Sequence, residues 1–172
     1  MLEVEIKTKI RLKEIKEKLL KLGVKFIKEE EQRDTYFSHP SRDFRKTDEA
    51  LRVRRINDKY FLTYKGEKVD SETKTRKEIE VETEEGILDI LKELGFLIKG
   101  KVKKKRTLYI WNSLRIYLDK VEGLGEFLEV EGNSLKDKEK IFEFIKKLNI
   151  KKGSLIRKSY LEMLLEDGVY PI

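Results

Sequence analysis

Apolar and charged side chains alternate along several short segments of this chain, the pattern of a β-strand with one buried face. The first segment is residues 2–7, where Leu2, Val4 and Ile6 alternate with charged residues. Its charged members are Glu3, Glu5 and Lys7. Residues two apart on a strand lie roughly 7 Å apart on the same face, so the two carboxylates are neighbours. Such a pair suits a hard divalent cation, with the lysine beside it to meet an anion.

The same Glu-x-Glu spacing recurs in two later strand-like segments, at Glu78/Glu80 and at Glu129/Glu131. Periodicity predicts further strands at residues 24–37, 50–55, 59–65, 77–83, 102–111, 114–121 and 126–131. It predicts helices at residues 11–22, 85–94, 136–148 and 160–165. The segments 38–49 and 66–75 lack periodicity and are interpreted as loops, the second of them mobile.

The order of elements repeats along the chain. Residues 1–66 and 76–132 each give a strand, a helix and then three strands, and Leu22-Gly23 is echoed by Leu94-Gly95. Two such β-α-β-β-β halves predict an α+β fold: an eight-stranded antiparallel β-barrel closed from two half-sheets, with its helices packed on the outside. The prediction is one domain over 1–172, in which residues 136–166 supply C-terminal helices.

The two faces of the predicted strands differ in chemistry. One face is apolar and must be shielded from water, for which amphipathic helices packed on it are suited. This face comprises Leu2, Val4, Ile6, Leu51, Val53, Ile79, Val81, Ile116, Leu118, Leu128 and Val130. The other face carries Glu3, Glu5, Lys7, Arg52, Arg54, Lys65, Arg76, Glu78, Glu80, Lys104, Arg106, Arg115, Asp119, Glu129 and Glu131. If helices cover the apolar face, the charged face lines the interior of the barrel, its lumen.

A charged face that simply meets water is the plain alternative, and it suffices for any single lysine or glutamate. Fifteen charges on one face of nearly every strand favour the lumen, because enclosed charges are costly unless paired or bound to ions. A lumen that carries both positive and negative charges suits a polyanion with its bound metal ion. The carboxylates would bind the cation, and the lysines and arginines would bind phosphate oxygens. The pattern therefore predicts a triphosphate–metal site.

Composition limits the other classes of function. The chain has 172 residues, 42% of them charged, and a net charge of +7 that fits either a solvated lysine-rich surface or an anionic partner. It has no cysteine, which excludes a disulfide framework and makes a cytoplasmic protein the expectation. No run of 18 apolar residues predicts a transmembrane helix.

Ordered motifs resemble those of the CYTH superfamily, which joins class IV adenylate cyclases of the CyaB type to thiamine triphosphatases and is also known as the triphosphate tunnel metalloenzymes. The N-terminal Glu3-Val-Glu-Ile-Lys7 matches its signature. Further matches are 32–37, 50–54, 62–66, 76–80, 104–106, 119–131 and 159–160, so they cover almost the whole chain. The segment 39–44, His-Pro-Ser-Arg-Asp-Phe, is most similar to the CyaB-like members.

The resemblance implies an eight-stranded tunnel that binds a nucleoside or organic triphosphate with Mg²⁺ or Mn²⁺. By position, the metal carboxylates would be Glu3, Glu5, Glu129 and Glu131, with Glu78, Glu80 and Asp119 nearby. The triphosphate would be bound by Lys7, Arg52, Arg54, Lys65, Lys104, Arg106 and Arg115. For catalysis we expect Glu5 and Glu131 to be essential, and Lys7 is the one side chain that could act as a general base; His39 is expected at the surface.

Two reactions suit such a tunnel. In the cyclase, which is the first choice, ATP gives cyclic AMP and pyrophosphate; in the triphosphatase, water attacks the terminal phosphorus of thiamine triphosphate, tripolyphosphate or a nucleotide. A third interpretation is an RNA 5′-triphosphatase or nucleic-acid binding module, disfavoured because interior carboxylates would repel a phosphate backbone. The expected partner is thus a small triphosphate. Dimers are common among the proteins it resembles, so a homodimer is compatible with the sequence without following from it.

Overall fold

A computed structural model of the protein describes residues 2–69 and 72–168. The strands in these ranges are β1 Leu2–Lys9, β2 Lys25–Ser38, β3 Ala50–Ile56, β4 Lys59–Lys65, β5 Lys74–Thr83, β6 Leu97–Trp111, β7 Leu114–Val121, β8 Gly125–Gly132 and β9 Leu155–Ile156. The helices are α1 Leu12–Lys21, α2 Phe44–Thr47, α3 Ile87–Glu93, α4 Asp137–Lys147 and α5 Tyr160–Glu166.

The first eight strands close into the predicted antiparallel barrel, in the order β5-β4-β3-β2-β6-β7-β8-β1, with β1 pairing back to β5. Each half has the predicted β-α-β-β-β order. The two-residue hairpins between β3 and β4 and between β6 and β7 contain Asn57 at φ 54° and Asn112 at φ 53°, a left-handed conformation that asparagine tolerates. The ninth strand, which the sequence analysis missed, pairs with β1 at Lys7 and Thr8, next to the stretch paired with β5.

Helices α1 and α4 cover the outer face of β1, β7 and β8. Ile15 and Leu19 of α1 lie four residues apart, so they share one helix face, and Ile141, Phe144, Ile145 and Leu148 do the same along α4. They pack on Val4, Ile6, Ile116, Leu118, Leu128 and Val130, all of which are buried. Burying each large apolar side chain contributes roughly 1.5–3 kcal/mol. This core fixes the strands' outer faces and so turns their charged faces inward.

Helix α3 covers the outer face of β3 and β4, with Leu91 packed in a cluster that includes Leu51 and Val53. The expected cover does not extend to β5, where Ile79 and Val81 are 48% and 51% exposed. That part of the prediction was wrong, because seven-residue α3 spans only about 10 Å and reaches no further than β4. The side chain of Leu2 lies outside what the structure describes.

Helix α5 departs from the expectation that all helices pack outside. Its residues Tyr160, Leu161 and Leu164 pack against Val102, Val121 and Phe127, and these three share the lumen side of their strands with the charged residues. A capping box starts the helix: Ser159 accepts from the Glu162 backbone N–H, and Glu162 accepts from that of Ser159. Helix α5 therefore fills one end of the barrel.

Several predicted boundaries also shift. Strand β5 starts at Lys74 and β6 at Leu97, so Lys74 and Thr75 belong to the sheet and not to a mobile loop. Residues 70 and 71 of that predicted loop lie outside the described residues. The other loop contains the short helix α2, capped by Asp43. In the described ranges, no helix is both long and apolar enough to span a bilayer.

Candidate functional site in the barrel lumen

The lumen forms a cavity of about 1210 Å³ that thirteen of the fourteen predicted site residues line. They are Glu3, Glu5, Lys7, Arg52, Arg54, Lys65, Glu78, Glu80, Lys104, Arg106, Arg115, Glu129 and Glu131. The fourteenth, Asp119, is fully buried directly behind Arg106. The alternation along the strands thus places the predicted residues together; the ligand that each would bind stays a prediction.

Most of these charged side chains are buried, with Glu5, Lys7 and Glu129 only 3–5% exposed. Buried charges need partners, since an ion removed from water loses several kcal/mol of solvation. The lumen supplies the partners as several groups of ion pairs, most of them between neighbouring strands. These pairs determine which side chains are already engaged.

Lys7 of β1 contacts two lumen carboxylates. Its Nζ donates to Glu5 Oε1 at 2.8 Å and lies 3.4 Å from Glu129 Oε2 and 4.6 Å from the centre of the Tyr160 ring. Burial alone would lower the pKa of Lys7, but the Glu5 and Glu129 carboxylates outweigh it and raise the pKa above its ordinary value. Lys7 is therefore protonated at neutral pH, which suits an anion ligand and not a general base.

Arg106 of β6 links β7 and β8. It forms a two-point ion pair with Asp119 and donates a further hydrogen bond to Glu129 at 2.8 Å. The phenol of Tyr160 donates to Asp119 Oδ2 at 2.7 Å. Lys104 lies 3.8 Å from the same carboxylate. Burial and the positive charge of Arg106 lower the pKa of Lys104 to about 7.

Arg52 and Arg54 of β3 converge on Asp34 of β2. Arg54 binds it through two hydrogen bonds of 2.7 Å, and Arg52 lies 3.9 Å from it while donating to Glu80 at 3.2 Å. Asp34 is 2% exposed and was missed by the sequence analysis, although it lies in the quoted segment 32–37. Gln32, Asp34 and Tyr36 occupy every second position of β2 and so share its lumen side. This spacing is the sequence signal that could have identified Asp34.

Lys65 of β4 joins Glu3 to Glu78, at 2.6 Å and 2.7 Å. Arg115 of β7 donates to Glu131 at 2.5 Å and also contacts Asn133. Burial and the Glu3 carboxylate nevertheless raise the pKa of Glu131 to about 7, because partly exposed Arg115 compensates only part of both effects. Glu131 is thus the carboxylate for which the lumen provides least compensation.

Two further basic residues line the cavity without having been assigned a role. Lys74 and Arg76 of β5 are 5% and 4% exposed, and in the described part of the chain neither forms an ion pair with a carboxylate. Burial and the positive charge of Lys7 lower the pKa of Lys74 to about 7. Lys74 was missed because its segment was interpreted as a loop, and Arg76 was placed on the charged face without a function.

The carboxylates have the chemistry of a divalent-cation site. Glu5 and Glu131 are register partners on β1 and β8, and Glu129 lies two residues away on the same face. Carboxylate oxygens are the ligands that Mg²⁺ prefers, so the donor set fits such an ion. Over the described ranges, no three acidic or histidine side chains are already grouped as metal ligands. The carboxylates are instead engaged by Lys7, Arg106 and Arg115.

His39, expected at the surface, lies partly buried at the mouth of the cavity. Its Nδ1 accepts hydrogen bonds from the backbone N–H groups of Ser41 and Arg42, and its ring contacts those of Phe44 and Phe96. Because both hydrogen bonds are local, this histidine shapes the loop between β2 and α2. The same mouth is lined by Phe37 and Pro40.

Both the sequence and the fold of this chain match those of known proteins. The family model of the CYTH domain matches residues 1–160. A Methanocaldococcus jannaschii protein named putative adenylate cyclase is 49% identical over 172 residues, covering 95% of this chain and 98% of that protein. The structure of the PH1819 protein from Pyrococcus horikoshii aligns with a TM-score of 0.86 at 42% identity, over 96% of this chain and 99% of that one.

A more distant structure shares the fold. The putative adenylyl cyclase HpAC1 from Hippeastrum, which has a dominant triphosphatase activity, aligns with a TM-score of 0.66 at 20% identity, over 97% of this chain and 95% of that one. The family model spans nearly every element that builds the lumen, from β1 to the start of α5. The chain belongs to the CYTH family.

Proposed function

We propose that the protein is a metal-dependent enzyme that acts on a nucleoside or organic triphosphate inside the lumen, and that its reaction is the cyclisation of ATP. The observation that carries the proposal is the enclosed, mixed-charge cavity, in which buried arginines and lysines face buried carboxylates from neighbouring strands. A triphosphate with a divalent cation presents both signs of charge, and is therefore complementary to such a surface.

In this reaction the 3′-hydroxyl oxygen of ATP forms a bond to the α-phosphorus. The bond from that phosphorus to the bridging oxygen of pyrophosphate breaks, and the hydroxyl proton passes to solvent. Lys7, Arg106 and Arg52 would bind phosphoryl oxygens and stabilise the charge that grows on the leaving pyrophosphate. Their ion pairs with lumen carboxylates hold these side chains in position before substrate arrives.

Glu5, Glu129 and Glu131 are the residues that would hold Mg²⁺ or Mn²⁺. When bound, the ion would add positive charge next to the phosphates and lower the pKa of the attacking hydroxyl. Because each carboxylate is paired with a lysine or arginine in the structure, we expect the ion to bind together with the triphosphate. The anion would then replace carboxylates as partner of the basic side chains.

Hydrolysis is the second candidate, because the same cavity would bind the same triphosphate with water in place of the 3′-hydroxyl. The name of the Methanocaldococcus relative supports the cyclase, and the activity reported for the Hippeastrum protein supports hydrolysis. Simple nucleic-acid binding is less well supported, since the basic lumen residues are buried among carboxylates.

The test is product analysis. The protein is incubated with ATP, GTP, thiamine triphosphate or tripolyphosphate and Mg²⁺ or Mn²⁺, with EDTA as the metal-free control. Cyclic AMP and pyrophosphate in equal amounts support the cyclase, and orthophosphate indicates the triphosphatase. Glu5→Ala should abolish either activity while Glu122→Ala, in an exposed turn, should not. Full turnover in EDTA, or no product from any substrate, would contradict the proposal.

A further inference from the structure

The wall of the lumen cavity changes character at the end of the barrel where β2 leads into α2. Charged side chains of the strands dominate the wall elsewhere, but at this end much of it is aromatic and apolar. Strand β6 begins here, since Leu97 and Ile98 pair with the last residues of β2, and α5 packs beside both strands. Six side chains form this part of the wall, the mouth cluster: His39, Pro40, Phe44, Ile98, Leu161 and Leu165.

The arginines of the loop 38–49 that line the cavity are already paired within that loop. Arg42 lies 3.3 Å from the buried carboxylate of Glu49, and Arg45 lies 3.0 Å from Asp43. Glu49 also accepts a hydrogen bond of 2.5 Å from the phenol of Tyr64 on β4, which fastens the loop to the barrel. The mouth is thus preformed, and these charges have their partners before a ligand arrives.

His39 contributes an aromatic ring that its neighbours hold in place. Its Nδ1 accepts hydrogen bonds from the backbone N–H groups of Ser41 and Arg42 at 3.1 and 3.0 Å. The centre of the ring lies 5.6 Å from that of Phe44 and 5.2 Å from that of Phe96. Because Nδ1 is an acceptor, the proton of the neutral ring lies on Nε2, and none of the described residues accepts a hydrogen bond from it. The ring therefore offers the cavity an aromatic surface and one unused N–H donor.

The cavity is larger than three phosphoryl groups require. Its volume of about 1210 Å³ exceeds the roughly 300–1,000 Å³ of clefts that hold whole drug-sized ligands. A planar, uncharged ring is poorly suited to the ionic part of the cavity, where it would displace water from the ions without replacing its hydrogen bonds. Such rings stack on aromatic side chains, histidine included. The mouth cluster is the part of the cavity that provides this chemistry.

We infer that the mouth cluster binds the organic group of the substrate, through contacts of a planar ring with His39 and Ile98. The site would then prefer a triphosphate that carries a heterocycle to inorganic tripolyphosphate, and the triphosphate would extend from the mouth toward Arg106 and Glu131. This inference rests on the proposed function, which does not say where in the cavity the organic group lies.

The experiment measures two affinities by calorimetry with Mg²⁺: that for a non-hydrolysable ATP analogue, and that for imidotriphosphate, an inorganic triphosphate whose N–H bridges resist hydrolysis. His39→Asn removes the ring but keeps an oxygen that can accept from the backbone two residues on; it should weaken binding of the analogue about tenfold. Ile98→Ala should weaken it about threefold. Ile90→Ala is the matched control, because Ile90 is 56% exposed and Ile98 46%, but Ile90 lies on α3 outside the cavity. No variant should change the affinity for imidotriphosphate.

The two ligands separate contact with the organic group from a general disturbance of the site. A loss confined to the ATP analogue would support the mouth cluster as the binding site of the organic group. Wild-type affinity for the analogue in both His39→Asn and Ile98→Ala, or an equal loss for both ligands, would overturn the inference and leave the proposed function standing. If the folded wild type binds neither ligand, the proposed function fails and the inference fails with it.

Discussion

Arg106 and Asp119 face each other across β6 and β7, with Nε 2.7 Å from Oδ1 and Nη2 2.5 Å from Oδ2. Tyr160 of α5 donates to the same carboxylate at 2.7 Å, and Asp119 is fully buried. Both oxygens are therefore occupied by protein donors. This gives Asp119 a clear part in positioning Arg106, and it joins the helix at the end of the barrel to the centre of the lumen.

Asp119→Asn should be strongly destabilising, because it leaves a buried guanidinium with one remaining carboxylate, Glu129. Loss of one member of a buried pair typically removes about 3–5 kcal/mol. The free energy of unfolding, measured in urea, checks this. Asp58→Asn, in an exposed hairpin turn, is the matched control, and equal stabilities of the two variants would show that the pair contributes little.

Tyr160→Phe removes the hydrogen bond to Asp119 and keeps the ring that Lys7 and Lys104 contact at 4.6 and 5.0 Å. We expect a loss of about 1 kcal/mol of stability, typical of one buried hydrogen bond. The catalytic rate should fall as well, since Asp119 would hold Arg106 less firmly. A variant with unchanged stability and rate would mean that the phenol does not support the Arg106–Asp119 pair.

Glu131→Gln should lower activity and raise stability at neutral pH. The pKa of Glu131 is raised to about 7, so between pH 4.5 and 7 the unfolded state ionises while the folded state keeps its proton. The contribution of Glu131 to stability therefore falls with pH across this window, and glutamine removes that contribution. Unfolding in urea at pH 4.5 and 7 tests it: relative to the wild type, Glu131→Gln should gain stability at pH 7 and not at pH 4.5, whereas the control Glu122→Gln should not change. The same difference from the wild type at both pH values would contradict the assignment.

Lys104→Met should flatten the rise of stability at alkaline pH. The pKa of Lys104 is about 7 in the fold and 10.5 ordinarily, so above pH 7 the folded state releases a proton that the unfolded state retains. Stability then increases toward pH 10.5 by roughly 1.4 kcal/mol per pH unit for such a group. Melting temperatures of Lys104→Met and of the exposed control Lys120→Met would show it. Identical slopes in the two variants would refute the lowered pKa.

The barrel and the residues that line its lumen were predictable, because the alternation of apolar and charged residues can be seen in each strand separately. Leu128 and Val130 face α4 while Glu129 and Glu131 face inward, as their parity predicts. The pairing within the lumen was not predictable. That Arg106 binds both Asp119 and Glu129 depends on strand register and tilt, which single strands do not encode.

The position of α5 was not predictable for a similar reason. Its apolar residues indicate that one face of the helix is buried, but they do not indicate the surface on which it packs. In the structure that surface is the lumen side of the strands at Val102, Val121 and Phe127. Lys74 was missed because residues 66–75 show no alternation long enough to predict a strand. Pairing with β1 at Glu5 brings it into the sheet, and that is a tertiary contact.

The most direct test of the central claim is a crystal structure with Mn²⁺ and a non-hydrolysable ATP analogue, with manganese located by its anomalous scattering. The account predicts a manganese peak inside the barrel, bound by at least one of Glu5, Glu129 and Glu131, and a triphosphate in contact with Lys7 and Arg106. Manganese and triphosphate bound on the outer surface, with the lumen ion pairs unchanged, would contradict it.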